Sequence, residues 1–185
     1  MINLTESIQK NLGYAALNKI DPNTQDINKD EKSFGINSLA QAAIPAVVSG
    51  LFHYILKPRE ENIMLNDEKH KWIPEIFGNN EKEITERIAT YAGTSVVNAK
   101  GEMEHIADEA VRIVQDNLKD KNNSVELREF AIAHKNDALP YLPAVLQTGY
   151  ILGNNSLDDR THKMEGPVSS LMHSFEKTFS SDNSK

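Results

Sequence analysis

SLAQAAIPAVVSGLFHYILK, from Ser38 to Lys57, is the longest nearly uncharged run in a chain of which 25% is Asp, Glu, Lys or Arg. Leu39, Ala42, Ala43, Ala46, Val47, Gly50, Leu51, Tyr54 and Ile55 recur at the three- and four-residue steps of one helical face, and Ile44, Val48 and Phe52 widen it. A helix apolar nearly all round belongs inside a protein or inside a bilayer. From Leu39 to Leu56 the run is 18 residues long and holds Gln41, Pro45, Ser49 and His53. A spanning helix needs about 20 predominantly apolar residues, so a buried core helix is expected. Pro45 lacks the amide hydrogen that would bond Gln41, which predicts a kink or the start of a shorter helix.

Outward from this run the chain reads as amphipathic helices joined by polar connectors. Leu4, Ile8, Leu12, Ala15 and Ala16 form one stripe, so a first helix is expected over 4–18, ended by Asp21-Pro22-Asn23. Pro58 stops the central helix, and the polar stretch that follows marks the boundary between two halves. Trp72, Ile73, Ile76 and Phe77 make a compact apolar cluster closed by Gly78. Asn80 with Glu83 spells a capping box for a helix that ends at Gly93, and Thr94 or Ser95 caps the next turn. Met103, Ile106, Ala107, Ala110, Ile113, Val114 and Leu118 predict a helix over 102–119. Asn123 with Glu126 opens another through Val125, Leu127, Phe130 and Ala131. Asp137 is expected to cap a second weakly charged helix over 138–153, whose Leu142-Pro143-Ala144-Val145-Leu146 echoes Ile44-Pro45-Ala46-Val47-Val48. After a polar loop, Val168, Leu171, Met172, Phe175 and Phe179 line one side of a last helix.

No alternation typical of strands is long enough to count, so the expected class is all-α: a multi-helix bundle of about six to eight helices with two kinked apolar central helices. Residues 1–179 are expected to form a single helical domain, as one unit or as halves 1–57 and 72–179, with 180–185 as a disordered tail. A net charge of −7 and the want of a basic stripe argue against nucleic acid, because phosphate affinity comes chiefly from clustered Lys and Arg. There is no cysteine, hence no disulfide or thiolate chemistry. The first residues lack a basic region followed by an apolar core, so the expected compartment is the cytoplasm.

The spelling IFGNNEKEITERIATYAG at 76–93, the helix that follows, and LPAVLQTG at 142–149 resemble the YidB-like family of small bacterial proteins. The closing LDDRTHKMEGPVSSLMHSFE at 157–176 is similar to extensions in Bacteroidetes-type members. The resemblance implies a small helical bacterial protein and carries over no catalytic residue.

The densest polar constellation is Glu102, Glu104, His105, Asp108 and Glu109. Glu102, His105 and Glu109 fall at helical steps, and Glu-x-x-His supplies ligands in carboxylate-bridged di-iron bundles. Such a site needs a second copy of the motif, which is missing here, so a solvated acidic face is the leading reading. Asp158, Asp159 and His162 lack a fourth ligand nearby, and Ser169, Ser170 and His173 lack a third catalytic group. No enzyme activity, cofactor or metal is therefore expected. The expected function is association with itself or with a protein partner, through Val168, Leu171, Met172, Phe175 and Phe179. The alternatives are metal binding by the Glu102, His105 and Glu109 cluster, and peripheral membrane attachment by the last helix. The membrane ranks last, because Lys177 is the only basic residue of that helix.

Overall fold

The computed structural model describes residues 3–20, 36–58, 65 and 71–153 of the 185. Every regular element among them is helical. In chain order they are α1 (Leu4–Asn11), α2 (Ile36–Leu56), α3 (Trp72–Phe77), α4 (Glu81–Ala92), α5 (Val96–Asn117), α6 (Ser124–His134) and α7 (Thr148–Ile151). Three 3-10 turns, Gly78–Asn80, Leu139–Tyr141 and Ala144–Leu146, join or precede them.

α2 is the interior of the bundle. Each residue from Leu39 to Phe52 is buried, and α1, α3, α4, α5, α6 and α7 all pack on it. The side chains explain how one helix accepts so many neighbours. Ala40, Ala42, Ala43 and Ala46 favour the helix and keep its girth small, while Leu39, Ile44, Val47, Val48, Leu51, Phe52 and Ile55 fill the gaps between partners. At Gly50 the approach is closest: a Cβ there would lie 2.6 Å from Ile76 and 2.7 Å from Phe77 of α3. By length and composition Asn37–Leu56 could cross a membrane, yet 83% of its apolar window is covered by the rest of the chain. Neighbouring helices thus supply the apolar medium.

Pro45 lies inside α2, which begins nine residues before it, so the shorter helix expected to start there does not form. The side chain of the residue whose carbonyl loses its partner is put to use. Gln41, buried, accepts from the Asn18 amide (2.7 Å) and donates to the Asn18 and Tyr141 carbonyls (3.1 and 2.9 Å). One amide group therefore ties two non-helical segments to the central helix, and burial without those bonds would be costly.

The second apolar run departs from expectation. Residues 138–153 form two 3-10 turns and the short α7, so no second central helix pairs with α2. Pro140 and Pro143 both lack amide donors, and Pro143 holds Leu142 extended at φ −78° and ψ 115°. Gln147 then takes the left-handed conformation, φ 49°, which breaks any helix that had begun. Shared spelling with residues 44–48 fails because Pro45 alone interrupts an alanine-rich helix, whereas prolines three residues apart interrupt this one. α1 is also shorter than expected, ending at Asn11, because Gly13 at φ 73° turns the chain into the non-helical segment 14–20.

Local signals elsewhere behave as spelled, with three exceptions. Gly93 closes α4 at φ 65°, Ser95 caps α5 by accepting from the Asn98 amide (3.1 Å), and Asn123 caps α6 by accepting from Val125 and Glu126 (3.0 and 3.2 Å). α5 starts at Val96, six residues earlier than its apolar period suggests. The Asn80 and Glu83 capping box does not form: Asn80 donates to the Ile151 carbonyl, and Glu83 pairs with Arg87 at 2.6 Å. The Glu126 carboxylate turns away from its own helix start and accepts from the Lys119 and Asp120 amides instead. The apolar core runs without interruption from Leu4 to Ile151, and α3, α4 and α5 share it with α2.

Candidate interaction surface and the polar clusters around it

The acidic constellation on α5 is taken apart by the periodicity of its own helix. Met103, Ile106, Ala107 and Ala110 point into the core, so the carboxylates fan out to either side of that face. His105 is 61% exposed, with Nδ1 3.8 Å from Glu102 Oε1. Glu104 reaches the other way: one carboxylate oxygen accepts from the Trp72 and Ile73 amides (2.9 and 3.2 Å), capping α3. That negative charge at the first turn suits both the orphan donors and the helix dipole. Glu109 accepts twice from Arg112 (2.6 and 2.8 Å) and once from the Asn11 side chain at the end of α1 (2.7 Å). The Arg112 guanidinium holds the Glu109 carboxyl below its ordinary value, and the Asn11 bond adds to the effect. Burial pushes the Asp108 carboxyl up, and His105 only partly opposes it. Glu102, His105 and Glu109 do not come together as a ligand set, and no group of three or more candidate ligands converges among the described residues. Two of these acids instead fasten α1 and α3 to α5.

A second polar cluster, which the sequence reading missed, sits where α1, α6 and the Leu139–Tyr141 turn meet. Asp137 Oδ2 accepts from the Leu4 amide (3.2 Å) and lies 2.9 Å from Nδ1 of the buried His134, whose ring stacks on Phe130 with centroids 4.5 Å apart. Tyr141 donates its hydroxyl to Glu6 at 2.9 Å. Burial raises the Tyr141 phenol first of all, and the bond to Glu6 adds to this. Asp137 was expected to cap a helix that follows it. Its role is to hold the start of α1 against the end of α6, a contact spanning 133 positions of sequence that no local spelling announces.

Among the described residues, Val96, Val97, Val125, Ile132, Val145 and Tyr150 are the large apolar side chains left exposed, and two of them, Val125 and Ile132, share one side of α6. Leu127, Ala131 and His134 face the core, four and three residues apart. Val125, expected to point inward with them, is 63% exposed, and Ile132, two turns later, is 56% exposed. Between them on the same side stand the exposed Arg128 and Glu129. α6 thus carries an apolar character on both sides, which is why a stripe count could not orient it. The other residues singled out from the sequence, Val168, Leu171, Met172, Phe175 and Phe179 with Asp158, Asp159, His162, Ser169, Ser170 and His173, lie outside the described residues.

Searches against protein families, curated proteins and solved structures gave no match for this chain.

Proposed function

We propose that this chain is a non-catalytic helical module of the cytoplasm that acts by associating with itself or with another protein, and that the outward side of α6 takes part. The supporting observation is the placement of Val125 and Ile132, two β-branched side chains exposed on one line of a helix whose opposite side is already in the core. Exposed apolar groups aligned in this way are more useful in a contact than in water. Among the described residues, several polar groups of the two clusters are engaged in holding the fold: Glu104 on α3, Glu109 on α1 and Arg112, Asp137 on α1 and His134. A small helical bacterial protein, as the YidB-like resemblance implies, is consistent with such a role.

The test compares the full-length chain with Val125→Glu/Ile132→Glu by light scattering and by affinity capture. Both positions are solvated, so the melting temperature should move by no more than about 2 °C. The proposal expects association of the unaltered chain and its loss in the variant. Association that survives in the variant at full strength removes α6 from the proposal, and a chain that neither self-associates nor captures anything defeats it.

A further inference from the structure

The outward stripe of α6 has a sidedness that selects its partner. At about 100° per residue, Val125 and Ile132 lie within about 20° of one another around the helix, Arg128 about 60° to one side of Val125 and Glu129 about 40° to the other. An apolar line is thus flanked by a cation on one edge and an anion on the other, at nearly the same height, since adjacent residues rise by about 1.5 Å. Arg128 also donates to the Leu56 carbonyl at 3.3 Å, which holds its guanidinium against the end of α2 and leaves further donors of the fork for an outside carboxylate.

We infer that α6 is a self-pairing surface on which a second copy of this chain docks with its α6 parallel and in register. The charges decide the direction. A two-fold axis along the helices sets the cationic edge of one copy beside the anionic edge of the other. Arg128 then meets the copy's Glu129 and Glu129 the copy's Arg128, while Val125 packs on Val125 and Ile132 on Ile132. A two-fold axis across the helices would set Glu129 against Glu129 and Arg128 against Arg128, which like-charge repulsion opposes. The inference rests on the association reading above and narrows it to one occupant and one arrangement. It also sets the strength: α6 is only about 16 Å long, and stable pairs bury about 800 Å² on each partner. The pair is therefore weak, formed at concentrations on the order of 100 μM or above.

The chain has no cysteine, so single thiols report the geometry without interference. Val125→Cys and Ile132→Cys, each incubated alone with copper phenanthroline in air, should give disulfide-linked dimers. Val97→Cys, at the start of α5 and 83% exposed, is the control for random collision and should give at least ten-fold less. Added to Val125→Cys, either Arg128→Glu or Glu129→Arg should cut the dimer yield at least ten-fold, while an equimolar mixture of the two charge variants should restore it. Equal yields from Val125→Cys and Val97→Cys, or indifference to the charge variants, would overturn the inference. So would a mixture of Val125→Cys and Ile132→Cys in which the two variants link to each other in preference to themselves. Light scattering on the same samples separates the two claims: assembly without these cross-links sinks the pairing and leaves the association reading standing, whereas a monomer at every concentration sinks both. A monomeric Val125→Cys protein whose thiol resists alkylation means that the chain covers the face itself, which also overturns the inference.

Discussion

Glu109 shows how a residue that reads as a metal ligand becomes a strut. Its carboxylate takes two bonds from Arg112 and one from Asn11, and its folded pKa is lowered, chiefly by Arg112. A lowered folded pKa contributes stability that is full above the unfolded carboxylate value and is lost as pH falls through the folded one. Glu109→Gln should therefore cost about 1 kcal/mol at pH 7, discounted for the exposed Arg112, and the gap to the unaltered protein should close below about pH 4. Urea titrations of both proteins across that range check this, and a gap independent of pH would contradict it. Gly50 makes the opposite kind of point, because it matters for what it lacks. A Cβ there would overlap Ile76 and Phe77, so Gly50→Ala should destabilise by about 1–3 kcal/mol despite the better helix propensity of alanine. A stabilised Gly50→Ala protein would mean that α2 and α3 do not cross as described.

At the scale of elements, what can be read from sequence depends on how far apart the deciding partners lie. The caps of α5 and α6 were legible because Ser95 and Asn123 bond amides two or three residues on. Ser95→Ala should accordingly cost about 1 kcal/mol, measured by thermal or denaturant unfolding, and a neutral result would remove the cap from the account. α2 was legible because a long uncharged run leaves few alternatives. Gln41, Glu104 and Asp137 were not, since their partners stand 100, 32 and 133 positions away. The expected second central helix failed for a related reason: a proline's effect depends on whether the flanking turns can spare a donor, and residues 138–147 contain two. Of the candidate surface, only the existence of α6 was legible. Its orientation was not, because Val125 and Leu127 are alike in sequence and opposite in burial.

For the whole molecule, α2 is the element on which each of the other described helices packs, with Gln41 turned inward. Leu51→Ala should then destabilise by about 2–5 kcal/mol, the range for a buried leucine whose cavity cannot collapse. The claim on which the rest depends is that α2 is the interior of a cooperative bundle rather than a segment loosely held or inserted elsewhere. Native-state hydrogen exchange of the full-length chain in detergent-free buffer tests it most directly, because amides that open only with global unfolding are the slowest in the molecule. The account predicts that the amides from Ala46 to Ile55 exchange at that slowest rate and that those of α1 open sooner. Exchange in α2 as fast as in α1 would contradict it.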